Sequence, residues 1–386
     1  MASLLLAIIY LAFISLGLPD SVLGSAWPIM VVDLNAEISY MGYVSIIITV
    51  GTIVSSVFST KLINKIGTGW VTAISVSLTA IGLLGFGLSK NFIMICVMAL
   101  PYGLGAGAID AALNNYVAVH YSSRHMSWLH CCWGLGASIG PYVMGLALKL
   151  NKGWRGGYGG LAIIQGVLAI VMFATIFLWK KRENSLTEET ANNSSFKEIF
   201  KTKGVIFALI TFFCYCAFET TAGLWATTYL VEQFNTPKET ATLFASLFYL
   251  GLTFGRFLSG FIADKLGDKK MIRIGSIFIA IGLILIALPI KSNICSLIGL
   301  ITVGVGGAPV YPCLMHTTPI HFGKEKSQTI MGMQTASAYL GSTVAPPIFG
   351  FVVQYISAYL FGYFMLIFVF LMILCTELLN RINAKN

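Results

Sequence analysis

The chain has 386 residues, of which 57% are hydrophobic and only 10% charged, where a soluble domain carries roughly 25% charge. This excludes a sizeable soluble domain and marks an integral membrane protein whose solvent is the lipid bilayer. A formal charge of +9 would suit a nucleic-acid partner, but the cations fall in alternate loops between apolar runs, and that pattern excludes nucleic acid.

The first apolar run extends from Ala2 to Val32 and holds one acid, Asp20, near its middle. About 20 apolar residues cross a bilayer, so this stretch is a predicted span carrying an ionisable group. Such a group is costly in hydrocarbon and implies a polar pathway beside it. Pro19 removes a backbone donor and predicts a kink there, with Gly17, Gly24 and Pro28 as further breaks or points of close approach. The N-terminus lacks the basic region of a signal peptide, so residues 1–32 are expected to stay as the first span.

Apolar runs of helix length give twelve spans in all. Six lie near 3–32, 40–60, 69–89, 92–119, 127–149 and 158–179, and six near 204–231, 238–262, 271–290, 293–318, 328–353 and 356–378. The one long polar stretch, 180–203, joins the two sets and has the composition of a solvated linker, with a short amphipathic helix expected around Phe196–Phe200. Seventeen Lys and Arg fall in the loops on the linker's side, six in the opposite loops, and Arg256 inside a span. The positive-inside rule then places both termini and the linker in the cytoplasm, where the Asn192 and Asn193 sequons go unused. A cell-membrane location follows as the expectation.

The two sets of spans repeat. Glu219 follows Asp20 by 199 residues, Gly267 follows Gly67 by 200, Gly304 follows Gly103 by 201 and Pro346 follows Pro141 by 205. Likewise Asp20, Gly24 and Trp27 reappear as Glu219, Gly223 and Trp225. The expected fold is an all-α membrane protein of two pseudo-symmetric six-helix bundles, residues 1–179 and 204–386, around the linker 180–203. Parallel repeats sharing a midplane site are a transporter arrangement.

Three acids lie inside spans: Asp20, Asp110 and Glu219. Burial disfavours the charged form of a carboxyl, so an acid in such a place can load and release a proton as access alternates; the plainer role is a structural ion pair. Arg256 stays charged and needs an anion, with Glu219 its expected partner. Asn114, Asn115, His130, His316 and Gln334 are polar groups on spans 4, 5, 10 and 11 that can bond a polyhydroxylated solute or a neighbouring helix. Trp27, Trp133 and Trp225 are candidate stacking platforms or simple packing, and Trp133 shares a helix face with His130, three residues away. The Gly-rich runs 103–107 and 304–307 follow no strand and lack Gly-Lys-Ser/Thr, so they mean tight helix packing rather than ATP hydrolysis. Pro309, Pro312, Pro346 and Pro347 predict kinks on spans 10 and 11. The eight cysteines show no metal or redox spacing, and no metal or cofactor is expected.

After span 8, Gly260, Asp264, Lys265, Gly267 and Lys269 form a G-x-x-x-D-K-x-G-x-K pattern. It resembles the loop signature of the major facilitator superfamily, in which Asp264 would cap or pair across a cytoplasmic gate. In the first half Thr60 and Asn64 replace the Gly and Asp, while Lys65 and Gly67 remain. Residues 103–120, with Asp110 and Asn114 after a Gly-rich run, resemble span 4 of the fucose–proton symporter family. Asp20 matches that family's second acid, and His130 falls where it carries a polar sugar-binding side chain. Gly136, Gly140, Pro141 and Gly145 partly resemble the span 5 motif of drug–proton antiporters. These resemblances imply a monomeric, non-enzymatic symporter that moves a small polar solute, a hexose-type sugar first, together with protons by alternating access. A proton-coupled efflux antiporter of amphipathic compounds and a transport-incompetent solute sensor stay open as alternatives.

Overall fold

Inside hydrocarbon a backbone finds no water to bond, so its N–H and C=O groups must pair within helices. The computed structural model of the chain describes residues 2–37, 40–183, 196–289 and 293–383, and no strand occurs among them. Among the described residues twelve helices are long and apolar enough to cross a membrane. Spans 1 to 6 cover Leu4–Trp27, Met41–Ile66, Thr68–Leu88, Phe92–His120, Ser123–Lys149 and Gly153–Ala174. Spans 7 to 12 cover Val205–Phe234, Phe244–Leu266, Asp268–Ala287, Asn293–Phe322, Lys324–Tyr355 and Ala358–Asn383. Large apolar side chains such as Ile163, Ile170 and Phe370 stay exposed, the surface a lipid solvent asks for. A short helix, Phe196–Lys201, stands in the linker; residues 184–195, including the sequons Asn192 and Asn193, lie outside the described residues.

Two spans are broken, both at proline. Span 1 runs from helix Ala2–Gly17 through a turn into helix Val22–Asp33. At the turn Asp20 N bonds Gly17 O at 3.2 Å and Val22 N bonds Pro19 O at 3.2 Å, replacing the regular helical ladder that Pro19 cannot join. Span 10 consists of Asn293–Gly307 and Val310–Phe322, interrupted before Pro309. By contrast, Pro101, Pro141, Pro346 and Pro347 sit inside unbroken helices, which a membrane helix tolerates because its neighbours satisfy the freed backbone groups.

Small residues bring backbones together at equivalent places in the two halves. A Cβ on Gly103 would strike the carbonyl oxygen of Ile48, and one on Gly304 the carbonyl oxygen of Phe248. Gly103 and Gly304, like Ile48 and Phe248, hold corresponding repeat positions, so span 4 meets span 2 as span 10 meets span 8.

By packing, the chain divides into two compact units, one of Met1–Tyr116, Leu129–Asn193 and Ser327–Ala336, the other of Val117–Trp128, Ser194–Lys326 and Ser337–Asn386. The first unit's core gathers Trp27, Val44, Phe86, Met144, Trp154 and Tyr158. Arg155 Nη1 reaches Asp33 Oδ2 at 3.0 Å, and Trp154 Nε1 donates to the same oxygen at 2.8 Å. In the second unit Arg273 forks onto Glu377 with two bonds of 2.7 Å, joining spans 9 and 12.

Candidate functional site

The break in span 1 leaves Asp20 outside regular helix and solvent-accessible. Its Oδ1 accepts from the Tyr102 hydroxyl at 3.1 Å and its Oδ2 from Trp133 Nε1 at 2.7 Å. Beside it the first unit holds a cavity of about 250 Å³, lined among others by Asp20, Ser45, Thr49, Phe86, Tyr102 and Tyr158. The Tyr158 hydroxyl is buried there with no hydrogen-bond partner among the described residues.

A second acid has its own relay. Asp110 and Asn114 are one turn apart on span 4, on one helix face. Asn114 Nδ2 donates to Asp110 Oδ1 at 2.8 Å and to the Asp110 carbonyl at 3.0 Å. Its Oδ1 lies 3.0 Å from His130 Nε2; an amide oxygen only accepts, so that ring nitrogen carries a hydrogen. Asn114 is fully buried, Asp110 and His130 nearly so, and the His130 ring stands edge-on to Phe13 with centroids 5.4 Å apart. Span 5 therefore serves both acids, Trp133 bonding Asp20 directly and His130 reaching Asp110 through Asn114. Neither Asp20 nor Asp110 is in an ion pair among the described residues.

The other predicted residues are placed as follows. Asn115 Oδ1 accepts from Ser327 Oγ at 2.6 Å, and Gln334 is buried in the first unit. Trp27 is in the packed core, edge-on to Phe92. In the second unit Glu219 pairs with the buried Arg256 at 3.1 Å. Trp225 Nε1 donates to the Pro346 carbonyl at 3.0 Å and its ring meets Phe349. His316 bonds Asp268 and the Tyr121 carbonyl.

The motif after span 8 has a mechanical reading. Asp264 pairs with Arg124, accepts from the Arg124 N–H at 3.0 Å and from Ser122 Oγ at 3.0 Å, and so caps the start of span 5. A Cβ on Gly260 would strike the Trp128 indole, whose Nε1 donates to Phe257 O at 3.3 Å. Gly267 turns the chain between spans 8 and 9 at φ 77°, and Gly67 does so at φ 84° in the first half, a region that favours glycine. Lys265 and Lys269 are exposed. Tyr102, Arg124 and Asp268 were not singled out from sequence. Tyr102 is 82 residues from its partner, a separation that no local pattern reports.

The family model described as Major Facilitator Superfamily matches residues 9–346 and 207–386. The chain belongs to the major facilitator superfamily. Among relatives, the glucose/mannose transporter GlcP of Bacillus subtilis (strain 168) is 23% identical over 346 residues, covering 87% of this chain and 84% of GlcP. Among solved structures, the E. coli fucose:proton symporter FucP (N162A) aligns with a TM-score of 0.76 at 14% identity, covering 96% of this chain and 98% of FucP. The human organic anion transporter MFSD10 (TETRAN) aligns at 0.73 with 13% identity, covering 95% and 98%. Structural likeness at such identity carries the fold. As a member of this superfamily the chain is a multi-pass membrane transporter of a small-molecule substrate, not an enzyme.

Proposed function

We propose that this transporter is a proton symporter for a small neutral polar solute, a hexose-type sugar first, working by alternating access. The observation that carries this reading is the pair of acids in the first unit held only by neutral partners. A carboxylate beside a fixed cation, such as Glu219 beside Arg256, has its charged form favoured by that partner, whereas one held by hydroxyl, indole and amide groups has no such partner and can take up and release a proton. Tyr102 suits this cycle because its hydroxyl can turn from donor to acceptor when Asp20 is protonated. The cavity beside Asp20, about 250 Å³, has room for several waters at about 30 Å³ each and would offer a proton route.

Arg256 is neutralised by Glu219, which favours a neutral cargo over an anionic one. Asn114, His130 and Trp133 would meet the solute's hydroxyl groups and ring face, with Asp264 and Lys265 at the cytoplasmic gate. The relatives' names support a sugar only in part, since both a fucose:proton symporter and an organic anion transporter share the fold. The reading includes a monomer in the cell membrane, both termini cytoplasmic, divided as bundles 1–179 and 204–386 with the linker 180–203.

A proton-coupled efflux antiporter is the second reading, favoured by the aromatic lining of the Asp20 cavity by Phe86, Tyr102 and Tyr158. The glycines that resemble the antiporter motif do other work: a Cβ on Gly136 would strike Ile14 O and one on Gly140 would strike Leu18 O, so both serve packing on span 1. Radiolabelled uptake of a monosaccharide panel in proteoliposomes, with and without an inward proton gradient, separates the readings. Symport requires that a sugar accumulate only with the gradient. Expulsion of amphipathic dyes with no sugar movement would establish the antiporter instead.

A further inference from the structure

Span 9 opens on Asp268, and the second piece of span 10 carries His316. The two side chains are 9% and 14% exposed, and His316 Nδ1 lies 2.6 Å from Asp268 Oδ2. On the other side of the ring, Nε2 lies 3.1 Å from the main-chain oxygen of Tyr121. A carbonyl oxygen only accepts, so Nε2 carries a hydrogen. The close approach of Nδ1 to the carboxyl oxygen needs a hydrogen as well. Neutral imidazole has one N–H, already directed at Tyr121, and an ionised carboxylate has none. Both bonds are made at once when the ring carries a hydrogen on each nitrogen, one proton more than neutral histidine.

This site fastens a particular piece of chain. Tyr121 and Ser123 belong to the segment Val117–Trp128, which joins spans 4 and 5 yet is part of the second compact unit. Ser123 Oγ bonds the other Asp268 oxygen and lies 3.7 Å from Cys313 Sγ. The segment's remaining ties are the Arg124–Asp264 pair, Ser122 Oγ on Asp264 and Trp128 Nε1 on Phe257 O. Other titratable groups facing the pair are Asp264 toward His316, and His321 and Cys313 toward Asp268; Lys269 faces His321, while His125 and Arg124 on the segment face Asp264.

We infer that His316 and Asp268 form a proton-binding site distinct from Asp20 and Asp110, and that loss of its proton to solvent releases the 117–128 segment from the second unit. Without that proton, two lone pairs face each other at 2.6 Å, or the ring hydrogen shifts to Nδ1 and the Tyr121 bond is lost. Either outcome loosens the segment. The inference does not depend on which solute is carried, and its test uses none.

The test is amide hydrogen exchange of peptides covering 117–128, on the full-length protein in lipid nanodiscs, with rates corrected for the intrinsic pH dependence of exchange. In the wild type, protection is expected to be constant at low pH and then to fall by up to about tenfold per pH unit once the proton leaves. Asp268→Asn should keep the segment protected with no such fall, because its amide N–H donates to Nδ1 while neutral His316 still serves Tyr121. His316→Gln, which cannot titrate, should also lose the slope. Flat protection in the wild type would overturn the inference. So would a wild-type slope surviving in Asp268→Asn or His316→Gln, which would assign the titration to His125 or His321.

Discussion

At the scale of single residues, Asn114 is the hinge of the first unit's polar chemistry. Fully buried, it donates to both the carboxyl and the carbonyl of Asp110 and accepts from His130. Asn114→Ala would take the amide away from a buried carboxyl and a buried ring nitrogen, each lost buried hydrogen bond costing about 1–3 kcal/mol. A lowered thermal unfolding midpoint in detergent is the expected result, with transport reduced in the protein that survives. An unchanged midpoint would mean that water replaces the amide. Trp133 and Trp27 show where sequence reading reaches its end at this scale. Both are tryptophans inside spans, yet one bonds Asp20 and the other packs in the core. Residue type and helix face cannot separate these fates, because the partners arrive from other spans.

At the scale of elements, span 5 is shaped by what it must touch. A Cβ on Gly140 would strike the Leu18 carbonyl, whereas one on Gly145 would meet nothing within 4 Å. Gly140→Ala is therefore expected to destabilise by about 1–3 kcal/mol, the usual cost of overpacking, and Gly145→Ala to be tolerated. Yield of monodisperse protein on size-exclusion chromatography compares the two directly; equal yields would contradict close span 1 to span 5 packing. The elements themselves were largely legible in sequence. Apolar run length located the spans, and the covalent limits of proline forecast the breaks at Pro19 and Pro309. The same residue type inside span 11 leaves the helix unbroken at Pro346 and Pro347, since the outcome there depends on neighbouring spans.

At the scale of the whole molecule, the repeat offsets carry the architecture, and matched contacts such as Gly103 on Ile48 and Gly304 on Phe248 embody it. What the repeat does not carry is the packing of Val117–Trp128 with the second unit, because a loop's docking partner leaves no periodic trace. Charge asymmetry predicts a cytoplasmic C-terminus, so a C-terminal green fluorescent protein fusion should fluoresce and an alkaline phosphatase fusion should be inactive; the reverse would invert the topology. The proposed proton symport rests on acids with neutral partners, Asp110 above all, and the most direct measurement compares Asp110→Asn with wild type in proteoliposomes loaded with the sugar that the panel identifies. The variant should exchange labelled sugar across the membrane at a rate comparable to wild type yet fail to accumulate it under an inward proton gradient. Accumulation undiminished in the variant would contradict a coupling role for Asp110.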